Sequence, residues 1–340
     1  MRALLCGNPT GHRDLTVEDV PTPEIKPGHV RVRVLAAGLN FSDTLIAKGG
    51  YQIKPEPPFV PGFECAGEVI EVADGDGPID VGDMVIATPD HGALAEELVV
   101  PADHVFPMPE SMDPIEAAAV PVAYGTAHLG IKRRLNLAKG QTIVVHGAAG
   151  GVGLAGVEIA KAMELRVIAT AGGAEKLKIA RAAGADALID HRSEDIRARV
   201  KNLTNGLGAD GVYDPVGGDI FVASLRAVRQ GGKILIVGFA SGDVPRIRAD
   251  ILLVKNIEVI GHNWGAYKTL DPAIPRASFA EIFDLIAVGR LKPHVTRVEP
   301  LSGVVSALDD LKAGRTAGKV VVDLTADENG WNPCPFIQKS

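Results

Sequence analysis

Along the first 123 residues, apolar and polar positions alternate in short runs broken by proline and glycine. Val30-Arg-Val-Arg-Val34 keeps a strict period of two, and residues 64–72, 83–87 and 95–100 form further short runs of strand character. That period marks half-buried strands, and the Pro61-Gly62, Asp74-Gly75 and Gly82-Asp83 pairs predict turns between them. The stretch reads as a compact all-β barrel or sandwich with little helix. From Pro114 the pattern lengthens: 115–120 and 124–134 read as helices, with a break at Pro121. Strands are then expected at 142–145, 166–170, 187–190, 211–214, 233–238 and 257–261, with helices at 174–183, 193–203 and 219–228 between them. Such alternation predicts a doubly wound parallel sheet that binds its ligand at the carboxyl ends of the strands. Beyond Trp264 the pattern offers helices at 279–287 and 304–311 and a strand at 319–324. The last stretch, 326–340, is polar and carries prolines, as poorly ordered ends often do. The expected organisation is therefore 1–123, 124–265, and a segment 266–340 that returns to the first domain.

The centre of this pattern is Thr142-Ile-Val-Val-His-Gly-Ala-Ala-Gly-Gly-Val-Gly-Leu154. A β-branched run ends in a glycine-rich turn and then opens a helix, which is the arrangement that binds a dinucleotide pyrophosphate. Gly150 lets the main chain approach the phosphates and Gly153 lets helix and strand pack closely. The first helical turn offers free N–H groups and a partial positive charge. Ala148 stands where the usual first glycine would be, so the motif reads A-x-G-x-x-G.

Composition narrows the function. Hydrophobic residues make up 46% of the 340 positions and aromatics only 4%, so the core must be mainly aliphatic. A net charge of −7 argues against a nucleic-acid partner, which requires a basic face. No apolar run reaches the roughly 20 residues of a membrane span, and the N-terminus lacks the apolar segment of a signal peptide, so a cytoplasmic protein is expected. Cys6, Cys65 and Cys334 are too scattered for a disulfide framework or a C-x-x-C zinc site.

Cofactor choice is read at the end of the second strand, where a carboxylate would bind the ribose hydroxyls of NAD. Ala169-Thr-Ala-Gly172-Gly173 contains no acid, and Lys176 and Arg192 lie near in sequence. The absence of an acid together with two available cations points to NADPH, although both residues also read as solvated helix-end charges.

Several segments together resemble a known family: Leu39-Asn-Phe-Ser-Asp43, Gly49-Gly-Tyr-Gln52, Pro57-Pro-Phe-Val-Pro-Gly-Phe-Glu-Cys-Ala-Gly67, Val81-Gly-Asp83, Gly147-Ala-Ala-Gly-Gly-Val-Gly153 and Gly318-Lys-Val-Val321. They are similar to the medium-chain dehydrogenase/reductase superfamily, and within it to the zinc-independent NADPH:quinone oxidoreductases of zeta-crystallin type. The likeness runs to about Leu324. It implies a GroES-like catalytic domain plus a Rossmann domain, and a homodimer paired through the last strand near 257–261. It also implies Thr126 near the nicotinamide, Gly150, Gly151 and Val152 at the pyrophosphate, and Lys176 with Arg192 at the 2′-phosphate. His191 replaces a tyrosine common there and either stacks on adenine or is an exposed loop imidazole. Val216-Gly-Gly218, Phe239 and Trp264 fall at or just beyond strand ends. Lys319 either reaches the nicotinamide end or simply precedes a strand. Tyr51 corresponds to a cleft tyrosine able to donate a proton, and Asn40 to an asparagine beside the nicotinamide. Their rival readings are a loop residue capping the core and a turn residue with a satisfied amide.

The departure from zinc alcohol dehydrogenases lies at the ligand positions. Gly38-Leu-Asn-Phe41 lacks their cysteine and Gly62-Phe-Glu64 lacks their histidine, whereas zinc needs about three or four N, S or O ligands. Without that Lewis acid, the suited reaction is hydride delivery to a small electrophilic acceptor, a quinone or a carbon–carbon double bond conjugated to a carbonyl. An enoyl-CoA or enal reductase is the nearest alternative, and a non-catalytic NADPH-binding protein the more distant one. His91, His128 and His262 form no ligand spacing and read as structural imidazoles.

Overall fold

The computed structural model describes residues 1–73 and 79–326, so the expected Asp74-Gly75 turn and the tail beyond Ala326 lie outside the described residues. The chain forms two units, Met1–Val122 with Pro293 onward, and Ala123–Lys292.

In the first unit the strand His29–Gly38 is the hub. It pairs antiparallel with Cys65–Val72, Glu97–Pro101 and Lys319–Asp323. The strands Met84–Ala87 and Val105–Pro107 extend one side, and Val295–Pro300 lies parallel to Lys319–Asp323 on the other. Its alternation works as expected: Val30, Val32 and Val34 are buried, while Arg31 and Arg33 reach Glu71 and Glu68 at 2.8 Å. Such exposed pairs contribute at most about 1 kcal/mol each, so the apolar face decides the register. The C-terminal segment supplies Leu301, Val304, Leu308, Val320 and Val322 to the same core. This burial explains why the chain returns here, and why the helix Val304–Lys312 forms.

The second unit holds six parallel strands in the order Ala187–Asp190, Arg166–Ala171, Thr142–Val145, Ala209–Asp214, Val228–Ile236, Glu258–Gly261. Chain order reverses between Thr142–Val145 and Ala209–Asp214, and a crevice for a ligand opens at such a switch point, at the carboxyl edge. The core is aliphatic, built from Val144, Ile168, Ile189, Val212, Ile234 and their neighbours. The predicted helix over 124–134 is an α-helix, Pro121–His128, that widens into π geometry over Leu129–Leu135. The helix Ala273–Ala287 begins six residues before its predicted start and belongs to this unit: Phe279 packs edge-on against Trp264, and Ser278 Oγ lies 2.7 Å from His128 Nδ1. The chain therefore rejoins the first unit at Pro293, later than residue 266.

One partly buried carboxyl in this unit couples stability to pH. Glu158, on the helix Gly151–Ala162, accepts a hydrogen bond from the Tyr124 hydroxyl. Burial pushes its pKa up to about 7 against the pull of that hydroxyl and of the Lys292 N–H. Because the folded value lies above the ordinary 4.5, this contribution is complete below about pH 4.5 and is lost as pH rises through about 7. Between pH 5 and 8 the wild type should lose up to about 3 kcal/mol that Glu158→Gln does not lose. Urea melts of both proteins across that range check this; parallel curves would remove Glu158 as the cause.

Candidate functional site

The glycine-rich turn follows a fully buried strand, Thr142–Val145. Gly147 takes φ +56°, and the Ala148 N–H is held by Thr170 O at 3.0 Å. Gly150 is the N-cap of the next helix and brings no side-chain acceptor, so the first helical N–H groups of Gly151 and Val152 face outward uncapped. A Cβ on Gly153 would stand 2.1 Å from Gly147 O, so only glycine lets the helix approach the turn this closely. Behind the turn lies His146, which the sequence did not single out. Its Nδ1 is 2.8 Å from Thr170 Oγ1 and its Nε2 is 2.7 Å from Ser224 Oγ. Ser224 donates its own proton to Ile220 O at 2.9 Å, so Nε2 carries the ring proton and Nδ1 accepts from Thr170. Complete burial lowers its pKa to about 4, and the neutral ring ties together the strands on either side of the turn and the helix Gly218–Ala227.

At the neighbouring strand ends the structure gathers Gly172, Lys176, His191 and Arg192. A Cβ on Gly172 would lie 2.6 Å from Arg192 Nε and 3.2 Å from His191 Nε2, so the guanidinium and imidazole rest over bare backbone. Asp190 Oδ1 accepts from the N–H groups of Arg192 at 3.0 Å and Gly173 at 3.2 Å, which joins the two loops. Burial and then the Arg192 charge push the Lys176 pKa down. Burial also lowers that of His191, with Arg192 and Lys176 adding to the effect against the pull of Asp190. Cations held together against mutual repulsion, with no acid at the end of the strand Arg166–Ala171, fit a dianionic phosphate. Further along the carboxyl edge, Asp214 Oδ1 fixes the Val216 and Gly217 N–H groups at 2.8 and 3.0 Å, and Phe239 packs over Gly217. Thr126 is buried in its helix, and its carbonyl accepts from His262 Nε2 at 3.0 Å.

The first unit holds a different assembly. Glu64 is fully buried: its Oε2 accepts from the Val122 N–H at 2.7 Å, and its Oε1 accepts from Asn40 Nδ2 at 2.7 Å and Lys319 Nζ at 2.5 Å. The Lys319 ammonium also donates to Leu39 O at 2.8 Å and Asn40 Oδ1 at 2.9 Å. Its three donors thus meet three acceptors inside this unit, and none is left for a nicotinamide. Asn40 is similarly committed through both ends of its amide. Gly38 permits the cluster, since a Cβ there would lie 2.5 Å from Glu64 Oε1. Asp43 caps the corner by accepting the Asn40 N–H at 2.7 Å, while its Oδ1 has no hydrogen bond of regular geometry. Burial raises its pKa to about 7; the Asn40 N–H and the Lys319 charge pull it down, and Glu64 pushes it up. Tyr51 is half-buried, with its ring 5.1 Å from that of Phe63. Burial, then Asp43 and Asp90, raise its phenol above the ordinary value, so the proton stays on at neutral pH.

Comparison of the chain with known proteins gives its family. The chain matches the alcohol dehydrogenase GroES-like domain over residues 26–110 and the zinc-binding dehydrogenase model over residues 151–279. A quinone oxidoreductase-like protein 2 homolog of Nematostella vectensis is 40% identical over 325 residues, covering 95% of this chain and 88% of that protein. A mycobacterial protein solved with NADPH superposes with a TM-score of 0.90 at 33% identity, over 95% of this chain and 99% of that one. Escherichia coli quinone oxidoreductase complexed with NADPH superposes with a TM-score of 0.90 at 29% identity, over 95% and 100%. Among the described residues no group of three or more His, Cys, Asp or Glu side chains could hold a metal ion. Both oxygens of Glu64 are spent on protein donors, and burial pushes the neighbouring Cys65 thiol up to about 12, so the position is ill suited to zinc. With its first unit a GroES-like domain and its second a Rossmann domain, the chain belongs to the quinone oxidoreductase-like family of the medium-chain dehydrogenase/reductase superfamily.

Proposed function

We propose that this oxidoreductase uses NADPH to reduce a quinone or another carbonyl-conjugated acceptor without a metal ion. The observation that carries the reading is the corner made by Gly172, Lys176, His191 and Arg192, which suits a 2′-phosphate and would penalise a cofactor lacking one. NADPH, when bound, supplies the hydride. Gly150, Gly151 and Val152 receive the pyrophosphate on uncapped N–H groups, with His146 bracing the turn from behind. Thr126 and Phe239 take the nicotinamide end. Tyr51 donates its proton to the acceptor oxygen on which negative charge develops. Asn40, fixed by Lys319 and Glu64, holds the corner from which that part of the unit is built, so Lys319 acts through Asn40 rather than on the cofactor. The same phenol would serve the enolate of an enal or enoyl thioester, and a panel of quinones, enals and enoyl thioesters ranks the acceptors by kcat/KM. Among the described residues the strand Glu258–Gly261 pairs on one side only, which supports a homodimer formed through that edge. No helix among the described residues is long and apolar enough to cross a membrane, and a cytoplasmic location is part of this reading.

Removing the phosphate partners with Arg192→Ala or Lys176→Ala should raise the KM for NADPH about 10- to 100-fold, the value of a charge-assisted hydrogen bond, and leave that for NADH nearly unchanged. Steady-state kinetics with both cofactors checks this, and equal losses for the two would remove the corner from the 2′-phosphate. Tyr51→Phe should lower kcat about 100-fold with KM for NADPH unchanged. Full turnover by that variant on the best acceptor of the panel would exclude the phenol as the proton donor.

A further inference from the structure

The second unit carries a separate cavity at the opposite edge of its sheet from the glycine-rich turn. It lies where the strands Ala209–Asp214 and Val228–Ile236 begin, encloses about 500 Å³, and is lined chiefly by Lys201, Leu207, Arg229, Val254 and Lys255. Arg197 and Lys201 stand one turn apart on the helix Ile196–Leu203, a like-charge spacing that costs a helix about 0.2–0.5 kcal/mol. Lys201 donates to Leu207 O at 2.9 Å, and Lys255 to Val228 O at 2.6 Å and Leu225 O at 2.8 Å. Among the described residues no carboxylate pairs with Arg197, Lys201 or Lys255. Asp210, the acid paired with the lining Arg229 at 2.6 Å, also accepts from the Thr142 N–H at 2.7 Å and Gln141 at 3.0 Å. Burial, then Lys201 and Arg197, lower the Lys255 pKa to about 8. The wall beside these cations is apolar and wet: Leu207 is 72% exposed and Val254 75%. A surface cavity of about 580 Å³ near His12 differs in that carboxylates, Asp14 and Asp309, stand in its lining, and Asp309 pairs with Arg13 at 3.0 Å.

We propose that this cavity binds an oxyanion joined to an aliphatic body, the anion against Lys201, Lys255 and Arg197 and the aliphatic part against Leu207 and Val254. Neither half of the lining is explained by the fold. The backbone carbonyls that Lys201 and Lys255 reach satisfy hydrogen bonds but neutralise no charge, and an anion relieves the repulsion while the alkyl chain covers the exposed side chains. The position, at the amino ends of the strands, separates it from the cofactor corner at the carboxyl ends.

The test uses the full chain saturated with NADPH, with octanoate, octyl phosphate, inorganic phosphate and octan-1-ol as probes, followed by calorimetry and by NMR of the lysine side chains. Octanoate or octyl phosphate should bind saturably and at least about tenfold more tightly than inorganic phosphate or octan-1-ol, and should raise the Lys255 pKa by about one unit. Which of the two binds better distinguishes a carboxylate from a phosphate ligand. The double variant Arg197→Gln/Lys201→Gln should lose about tenfold in affinity for the alkyl anion while NADPH affinity stays unchanged. Should that variant fold poorly, Leu207→Ser decides, since it should weaken octanoate and octyl phosphate but not inorganic phosphate. Unaltered octanoate and octyl phosphate binding by the folded variant, inorganic phosphate binding as tightly as either alkyl anion, or a Lys255 signal that does not move would each overturn the proposal.

Discussion

The buried ammonium of Lys319 is the tie on which the first unit depends. It joins Leu39, Asn40 and Glu64, and the contact to Glu64 spans 255 residues of chain. Burying a charge pair costs several kcal/mol per ion before any gain, so such a pair survives only where every donor and acceptor is met. Here the condition holds: three N–H groups find three oxygens, and the second carboxylate oxygen finds the Val122 N–H. Loss of one partner would strand the other charge in an apolar interior. The return of the C-terminal strand to the sheet therefore does two things: it buries Val320 and Val322, and it brings Lys319 to the buried carboxylate of Glu64.

That tie also shapes the electrostatics around it. Asp43 sits beside the pair, fully buried and with one oxygen lacking a regular partner, and burial outweighs the help it receives from Lys319. Tyr51 feels the same acids and keeps its proton. The second unit solves the reverse problem. It rests the Arg192 guanidinium over Gly172 with Lys176 near enough to feel its charge, a repulsion that a phosphate dianion would relieve. One unit thus guards a proton and the other prepares for an anion.

How much of this the sequence reveals depends on the range of the interaction. The parallel sheet was legible strand by strand, because each strand is a short run carrying at least one β-branched residue and the helices expected at 174–183, 193–203 and 219–228 separate four of them. The grouping of Gly172, Lys176, His191 and Arg192 is also suggested by the sequence, since they lie within 21 residues of one another. The strand Val295–Pro300 was not read, because an edge strand carrying Thr, Arg and Glu has no apolar stripe to announce it. The helix Phe41–Ile46 was missed for a different reason: at six residues it is too short to show a period. For Lys319 the sequence left open the nicotinamide end or a place just before a strand; it is the first residue of the strand Lys319–Asp323, and its partners come from distant segments that no local pattern links. His146 gave no signal beyond being a lone imidazole next to the turn, and its two hydroxyl partners come from separate elements.

These ranges bear on the chemistry. A zinc enzyme polarises its acceptor with a metal, and the residues at the corresponding positions here have been turned inward: Asn40 and Glu64 satisfy each other and Lys319, and the Cys65 thiol is held protonated by burial. A site whose polar groups are already saturated by protein partners has little left to pull electron density from an unreactive carbonyl. In the function proposed above the proton comes from the half-buried phenol of Tyr51, which could finish a reduction by giving a proton but could not begin one on an inert substrate. On that proposal the acceptor brings its own electron deficiency, which conjugation of a carbonyl with a second carbonyl or a carbon–carbon double bond would provide.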